Sequence, residues 1–300
     1  MSWKASLPCT KAEAEALQDD ITPLASLDDP PVLMTSEADP SEPDRWRLDA
    51  YFESRPTKVD LALLRSLAPS ADVEPVVERL EDADWVTLSQ QGLEPIRAGR
   101  FFVHTPAHRD SIPAGSVALE IDAGLAFGTG QHETTAGCLM ALDRLKRQGF
   151  VARNLIDVGT GTGLLAFAAM RLWPQARATA SDNDPIAVEV ARDNAGINRA
   201  APGSAPGRLD LAVADGLDHP KLRQRGPYDL IIANILAGPL IALAPQLAPA
   251  LVPGGRLILA GLLTGQAERL TRAYVREGLR PLFTIRNGEW PTLVLRRPRG

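Results

Sequence analysis

The chain reads as an α/β protein: a parallel sheet covered by helices on both faces, preceded by a small α+β module. Three observations predict this. From Asn154 onward, apolar strand-like runs alternate with helical ones. The run Leu155–Val158 leads directly into a glycine turn and then a helix. The first 80 residues instead follow the order β-α-β-β-α-β. A length of 300 residues makes two domains the prior. The boundaries expected are 1–80 for the first domain, 81–118 for a connector and 119–300 for the second.

In the first domain, Trp3 to Pro8 reads as a strand and Thr10 to Ile21 as a helix, with Thr10 as its N-cap. Val32–Thr35 and Arg45–Phe52 are strands separated by the turn-rich segment Asp39-Pro40-Ser41-Glu42-Pro43-Asp44. Leu61, Leu63, Leu64 and Leu67 mark a second helix, and Val73–Leu80 a last strand. The order is that of a ferredoxin-like split βαβ unit. The connector contains one short apolar strand, Phe101-Phe102-Val103.

Charge is distributed unevenly. Residues 1–94 hold 8 basic and 20 acidic side chains, and residues 95–300 hold 24 and 17. An acidic first segment is a poor partner for phosphates, so no direct nucleic-acid binding is expected. It is suited either to a basic protein or to a solvated surface that serves solubility. Cys9 and Cys138 are the only cysteines, which excludes a disulfide framework and a cysteine-built zinc site. No metal site is expected. With no apolar run near the ~20 residues that span a bilayer and no secretory leader, the expected location is the cytoplasm.

The second domain runs through Leu155–Val158, Leu164–Leu172, Ala178–Ser181, Ile186–Ile197 and Leu209–Ala214. It continues with Leu230–Ala233, Pro239–Leu251, Leu257–Ala260, Gln266–Leu279 and Leu293–Leu295. Ligands of such sheets sit beyond the carboxyl ends of the strands, so functional residues should follow them. Asp157 and Val158 lead into Gly159-Thr160-Gly161-Thr162-Gly163. The dinucleotide fingerprint G-x-G-x-x-G would need a third glycine where Leu164 stands. The observed G-x-G-x-G after an acidic residue instead resembles the first motif of class I methyltransferases. Asp182, at the end of the second strand, is placed to accept bonds from both ribose hydroxyls. Asp184 reads as the N-cap of the next helix, with Pro185 at its first position. Asp215 follows the third strand, either at the adenine edge or as a turn aspartate before Gly216. Asn234 ends the fourth strand. Its amide oxygen is suited to orient a substrate amine, and the competing reading is a cap for the helix near Pro239.

One further segment is more specific. Phe127-Gly128-Thr129-Gly130-Gln131-His132-Glu133-Thr134-Thr135, taken with the glycine loop and with Ala233-Asn234-Ile235-Leu236-Ala237-Gly238-Pro239-Leu240, closely resembles the PrmA-type family of ribosomal-protein methyltransferases. The resemblance runs from Glu81 to Trp290 and more loosely over the first domain. It implies a Rossmann-like class I fold and S-adenosylmethionine as cofactor. It also implies Thr135, Gly159, Asp182 and Asn234 as cofactor contacts, with Asn234 catalytic as well. Asp157, Gly161, Gly163 and Asp215 complete the expected cofactor set. The implied partner is the basic ribosomal protein eleven of the large subunit, methylated on lysine and N-terminal amines and recruited by the acidic first domain. Glu133 stands where many members have proline, and His132 is either a base or a structural hydrogen-bonding residue. The alternatives are a methyltransferase of this fold acting on another protein, or a non-catalytic cofactor-binding scaffold; a nicotinamide oxidoreductase is disfavoured by Leu164.

Overall fold

The structure is a computed structural model that describes residues 2–19, 31–37, 44–52, 54–80, 95–121 and 131–299. Contacts divide the chain into two compact units, 1–89 and 90–300.

The first unit holds β1 (Ser2–Thr10), α1 (Lys11–Asp19), β2 (Val32–Glu37), β3 (Arg45–Phe52), α2 (Lys58–Leu67) and β4 (Val76–Leu80). Its strands pair antiparallel in the order β2-β3-β1-β4, the expected ferredoxin-like arrangement. Strand alternation sends Ala5, Leu7 and Cys9 of β1, with Leu48, Ala50 and Phe52 of β3, onto one buried face with Ala14 and Leu64 of the helices. Thr10 does cap α1. Its Oγ1 accepts the Glu13 N–H at 3.3 Å, and Glu13 Oε2 accepts the Thr10 N–H at 2.7 Å. Glu13 also ties the helix to the end of the α2 segment by accepting the Ser70 N–H at 2.8 Å.

The second unit begins inside the stretch read as connector. Residues 95–118 there are built into a small three-stranded sheet of β5 (Ile96–Ala98), β6 (Phe101–His104) and β7 (Val117–Glu120). The connector's earlier part, 81–94, lies outside the described residues.

The main sheet contains β8 (Asn154–Val158), β9 (Arg177–Asp182), β10 (Leu209–Val213), β11 (Tyr228–Asn234), β12 (Leu251–Ala260), β13 (Arg280–Ile285) and β14 (Thr292–Arg296). Its order is β10-β9-β8-β11-β12-β14-β13. The sequence predicts a parallel sheet, and the structure departs from that at one strand: β14 runs antiparallel between β12 and β13. The sequence reading had no β13. It contains Pro281, and the structure puts this strand at the sheet edge, where a missing N–H costs no ladder bond. An antiparallel strand inserted before the last one also separates this sheet from the 3-2-1-4-5-6 order of dinucleotide-binding folds.

The helices are α3 (Gln131–Arg147), α4 (Leu164–Leu172), α5 (Pro185–Ile197), α6 (Pro220–Arg225), α7 (Ala237–Ala242), α8 (Ala244–Leu247) and α9 (Ala267–Arg276). The run expected as one helix over 239–251 is two short helices, α7 and α8, with Leu243 between them. Leu155, Leu230, Ile232, Ile258 and Val294 face one core, which includes Leu139 and Leu142 of α3 and Leu165 and Phe167 of α4. Ile156, Ile231, Leu257, Leu259 and Leu295 face the other, with Leu240, Leu247, Leu270 and Tyr274. Apolar residues on both parities of one strand are what a sheet buried on both faces requires.

Strand order reverses at β8, from which β9 and β10 run one way and β11 and β12 the other. A crevice therefore opens between the carboxyl ends of β8 and β11.

Candidate active site

The glycine turn begins where β8 ends at this crevice. Its backbone is held from below, because the Gly159 and Thr160 N–H groups donate to the Ser181 carbonyl at 2.8 and 3.0 Å. Two glycines are required by shape. Gly159 has φ +69°, and a Cβ there would lie 2.2 Å from Cγ2 of Ile235. Gly163 has φ +86°, and a Cβ would lie 2.5 Å from the Phe167 ring. Gly161 differs: the space beside it is open to 4 Å, which lets a ligand approach the backbone.

Asp157 lies beneath the turn with 1% of its surface exposed. Its Oδ2 accepts the Thr160 hydroxyl at 2.7 Å and the Ala166 N–H at 3.1 Å, joining the turn to α4. Its other oxygen has no partner among the described residues. Burial, opposed by those two hydrogen bonds and reinforced by the Asp182 charge, pushes this carboxyl up to about 7.

Asp182 stands half-buried at the end of β9. One oxygen accepts the Gly161 N–H at 2.9 Å and the other the Asp184 N–H at 3.1 Å, so the carboxylate is aimed at the tip of the turn. Asp184 is the N-cap of α5, accepting the Ile186 N–H, with Pro185 in the first turn, as read from the sequence. Asp215 is exposed. It makes its turn through its backbone carbonyl, which accepts the Asp218 N–H at 2.9 Å, and its carboxylate makes no hydrogen bond among the described residues.

Across the crevice, Asn234 ends β11 half-buried. The competing reading of this residue as a helix cap does not hold, since α7 begins after Leu236 with no side-chain cap. Its Nδ2 instead points toward Oγ1 of Thr135 at a long 3.5 Å. Thr135 is buried in the first turns of α3. That helix end is anchored by Asn287, whose Nδ2 donates to the Glu133 carbonyl at 3.0 Å. Phe127–Gly130 and the side chains of Gln131 and His132 lie outside the described residues.

The structure thus gathers Asp157, Gly159, Gly161, Gly163 and Asp182 at one turn, with Asn234 and Thr135 paired at the neighbouring strand end. Sequence reasoning missed the apolar rim. Ile186, beside the α5 cap, is 71% exposed, and Val213, which pairs with Asp182 across β9 and β10, is 47% exposed. Exposed branched apolar residues beside a carboxylate at a strand end suit the faces of a planar ring. Their only signal in the sequence was position: Val213 ends β10, and Ile186 opens the helix that follows β9. Among the described residues there is no metal-binding cluster, and no helix is long and apolar enough to cross a membrane.

Comparison with known proteins agrees with this geometry. Residues 8–298 match the family described as Ribosomal protein L11 methyltransferase (PrmA). The chain belongs to the ribosomal protein L11 methyltransferase family. Relatives of that name include one from Caulobacter sp. (strain K31), 42% identical over 96% of this chain and 95% of its own length. Another, from Chelativorans sp. (strain BNC1), is 46% identical over 78% of each. A crystal structure of ribosomal protein L11 methylase from Lactobacillus delbrueckii subsp. bulgaricus is matched over its whole length by 69% of this chain, with 28% identity and a TM-score of 0.58. As a member of the L11 methyltransferase family, the chain is an S-adenosylmethionine-dependent protein methyltransferase. The site fits that cofactor. The open backbone at Gly161, the Asp182 carboxylate and the Ile186–Val213 rim match its phosphate-free nucleoside, and no lysine follows the turn to bind phosphate.

Proposed function

We propose that the chain methylates lysine side chains and the N-terminal α-amine of ribosomal protein L11, with Asn234 orienting the attacking amine. The observation that carries this reading is the placement of Asn234 at the switch point: it caps no helix, and its Nδ2 is turned toward Thr135. That leaves the amide oxygen to accept a bond from the amine.

The bound cofactor supplies an electrophilic methyl group on a sulfonium. The rest falls to the chain. Asp182 holds the ribose hydroxyls, and Asp215 lies by the adenine edge. Gly159, Gly161 and Gly163 let the backbone close on the nucleoside, and Thr135 fixes the Asn234 amide. Asp157 shapes the turn from beneath through Thr160 and Ala166, and so acts as a positioning residue. The nucleophile must be neutral. For a free lysine at pH 7 this costs roughly 4.6 kcal/mol, and for an α-amine about 1 kcal/mol. A half-buried site beside a cation lowers an amine's pKa, and alignment of lone pair and methyl supplies much of the remaining acceleration. The first domain, 1–80, recruits the substrate. Its excess of carboxylates complements a basic ribosomal protein.

The test is incubation with methyl-labelled S-adenosylmethionine and purified L11, followed by mass mapping. Label in steps of up to three methyls per amine is expected. Labelling of other proteins in a ribosomal extract with none on L11 would overturn the substrate assignment. Asn234→Ala should lower kcat about 100-fold, the scale of misalignment; near-normal turnover with normal cofactor affinity would remove Asn234 from its role.

A further inference from the structure

At the opposite edge of the main sheet, away from the cofactor crevice, one arginine from each of three adjacent strands lies in register. Arg256 of β12 pairs with Arg296 of β14, which pairs in turn with Arg280 of β13. Directly paired residues project to the same face, with Cβ atoms about 5 Å apart, and like charges there repel. Arg299 extends the row, its side chain packed over Gly254. Arg280, Arg296 and Arg299 are exposed and Arg256 is half-buried. None of the four forms an ion pair among the described residues, whereas Lys221 of the same unit pairs with Asp210, and Arg272 with Glu268. Burial and the guanidiniums of Arg296 and Arg299 hold Arg256 below the ordinary arginine range, and its Nη1 donates to the Gly254 and Gly255 carbonyls.

A cavity of about 470 Å³ opens beside the row, lined by Phe150, Leu282, Gly254, Gly255, Arg256 and Arg299. The Arg256 guanidinium lies over the Phe150 ring at 5.2 Å. One carboxylate, Asp229, stands at its wall and accepts the Arg153 and Asn154 N–H groups through Oδ2 at 2.9 and 2.8 Å.

We propose that this edge is a docking surface for single-stranded or looped RNA, with consecutive phosphates on the arginine row and one base in the Phe150 cavity. A single small anion needs one guanidinium, but a row spanning three strands matches a repeating charge. Joining such a row to an aromatic and apolar recess is the recognition pattern for unpaired bases rather than for carboxylates. This departs from the expectation of no nucleic-acid contact, which rested on the acidic first segment alone.

The test is fluorescence anisotropy of the full chain with a labelled twelve-nucleotide mixed-sequence RNA between 50 and 250 mM KCl. Binding that weakens linearly in log salt is expected, as is at least a tenfold loss in the triple variant Arg280→Ser, Arg296→Ser, Arg299→Ser. The triple variant should also reduce the salt slope by about two, three contacts at ~0.7 each. Cofactor affinity, measured on the same sample, should not change and reports an intact fold. If the triple variant loses it, the exposed pair Arg280→Ser, Arg299→Ser carries the test with a proportionate loss. No RNA binding at 50 mM KCl, an unchanged affinity in the variants, or equal competition by polyglutamate would overturn the proposal.

Discussion

Asp157 shows how one buried carboxyl couples the glycine turn to pH. Its folded pKa, about 7, lies above the unfolded value near 3.9, because burial disfavours the charge more than Thr160 and Ala166 stabilise it. The folded state therefore holds the proton more tightly than the unfolded chain. The stability this contributes is fully present below pH ~4 and is lost as pH rises through ~7. In thermal melts without cofactor, the wild type should lose stability relative to Asp157→Asn across that window and run parallel to it above; a constant gap from pH 4 to 8 would contradict the assignment. The substrate titrates in the opposite sense. With a lysine target, log kcat/KM should rise with pH from 6 to 9 at a slope near one, since only the neutral amine attacks. A flat profile would point to a dedicated base.

Among elements, the glycine turn and α1 make the clearest claims. Gly163→Ala would place a methyl 2.5 Å from the Phe167 ring at a left-handed φ. It should abolish cofactor binding, measured by calorimetry, while the chain stays folded by circular dichroism. Glu13 both closes the Thr10 capping box and holds Ser70, 57 residues away. Glu13→Ala should cost the first unit about 1–2 kcal/mol in urea unfolding, the range for lost caps. Elements with a strong local signal were legible: the Thr10 and Asp184 caps, the strand into the glycine turn, and the alternation after Asn154. The reading passed over β5, β7, α3, α6 and β13, the last an edge strand that contains Pro281, and over the break that Pro245 makes in the 239–251 run at the first turn of α8.

At the scale of the molecule, the two units carry separable tasks in the proposed function. Deleting residues 1–89 should leave cofactor affinity unchanged while abolishing methylation of folded L11, checked by calorimetry and mass mapping in parallel. Loss of both would mean that the units share a core. The candidate site was legible because open α/β sheets place ligands at strand ends, so Asp182 and Asn234 could be picked out by position alone. What could not be read was which of these residues meet. Asn234 and Thr135 are 99 residues apart, and their approach depends on β11 lying next to β8 under the start of α3.

The sequence by itself determined the α/β class, the first module's topology, the glycine turn and its family, because each is written in local spacing and turn chemistry. The tertiary structure alone decided the antiparallel β14, the apolar rim of Ile186 and Val213, the burial that raises Asp157, and the arginine row. These depend on which strands become neighbours and how deeply they are covered. Strand pairing is a long-range choice made by the packing of whole faces, and no window of adjacent residues encodes it.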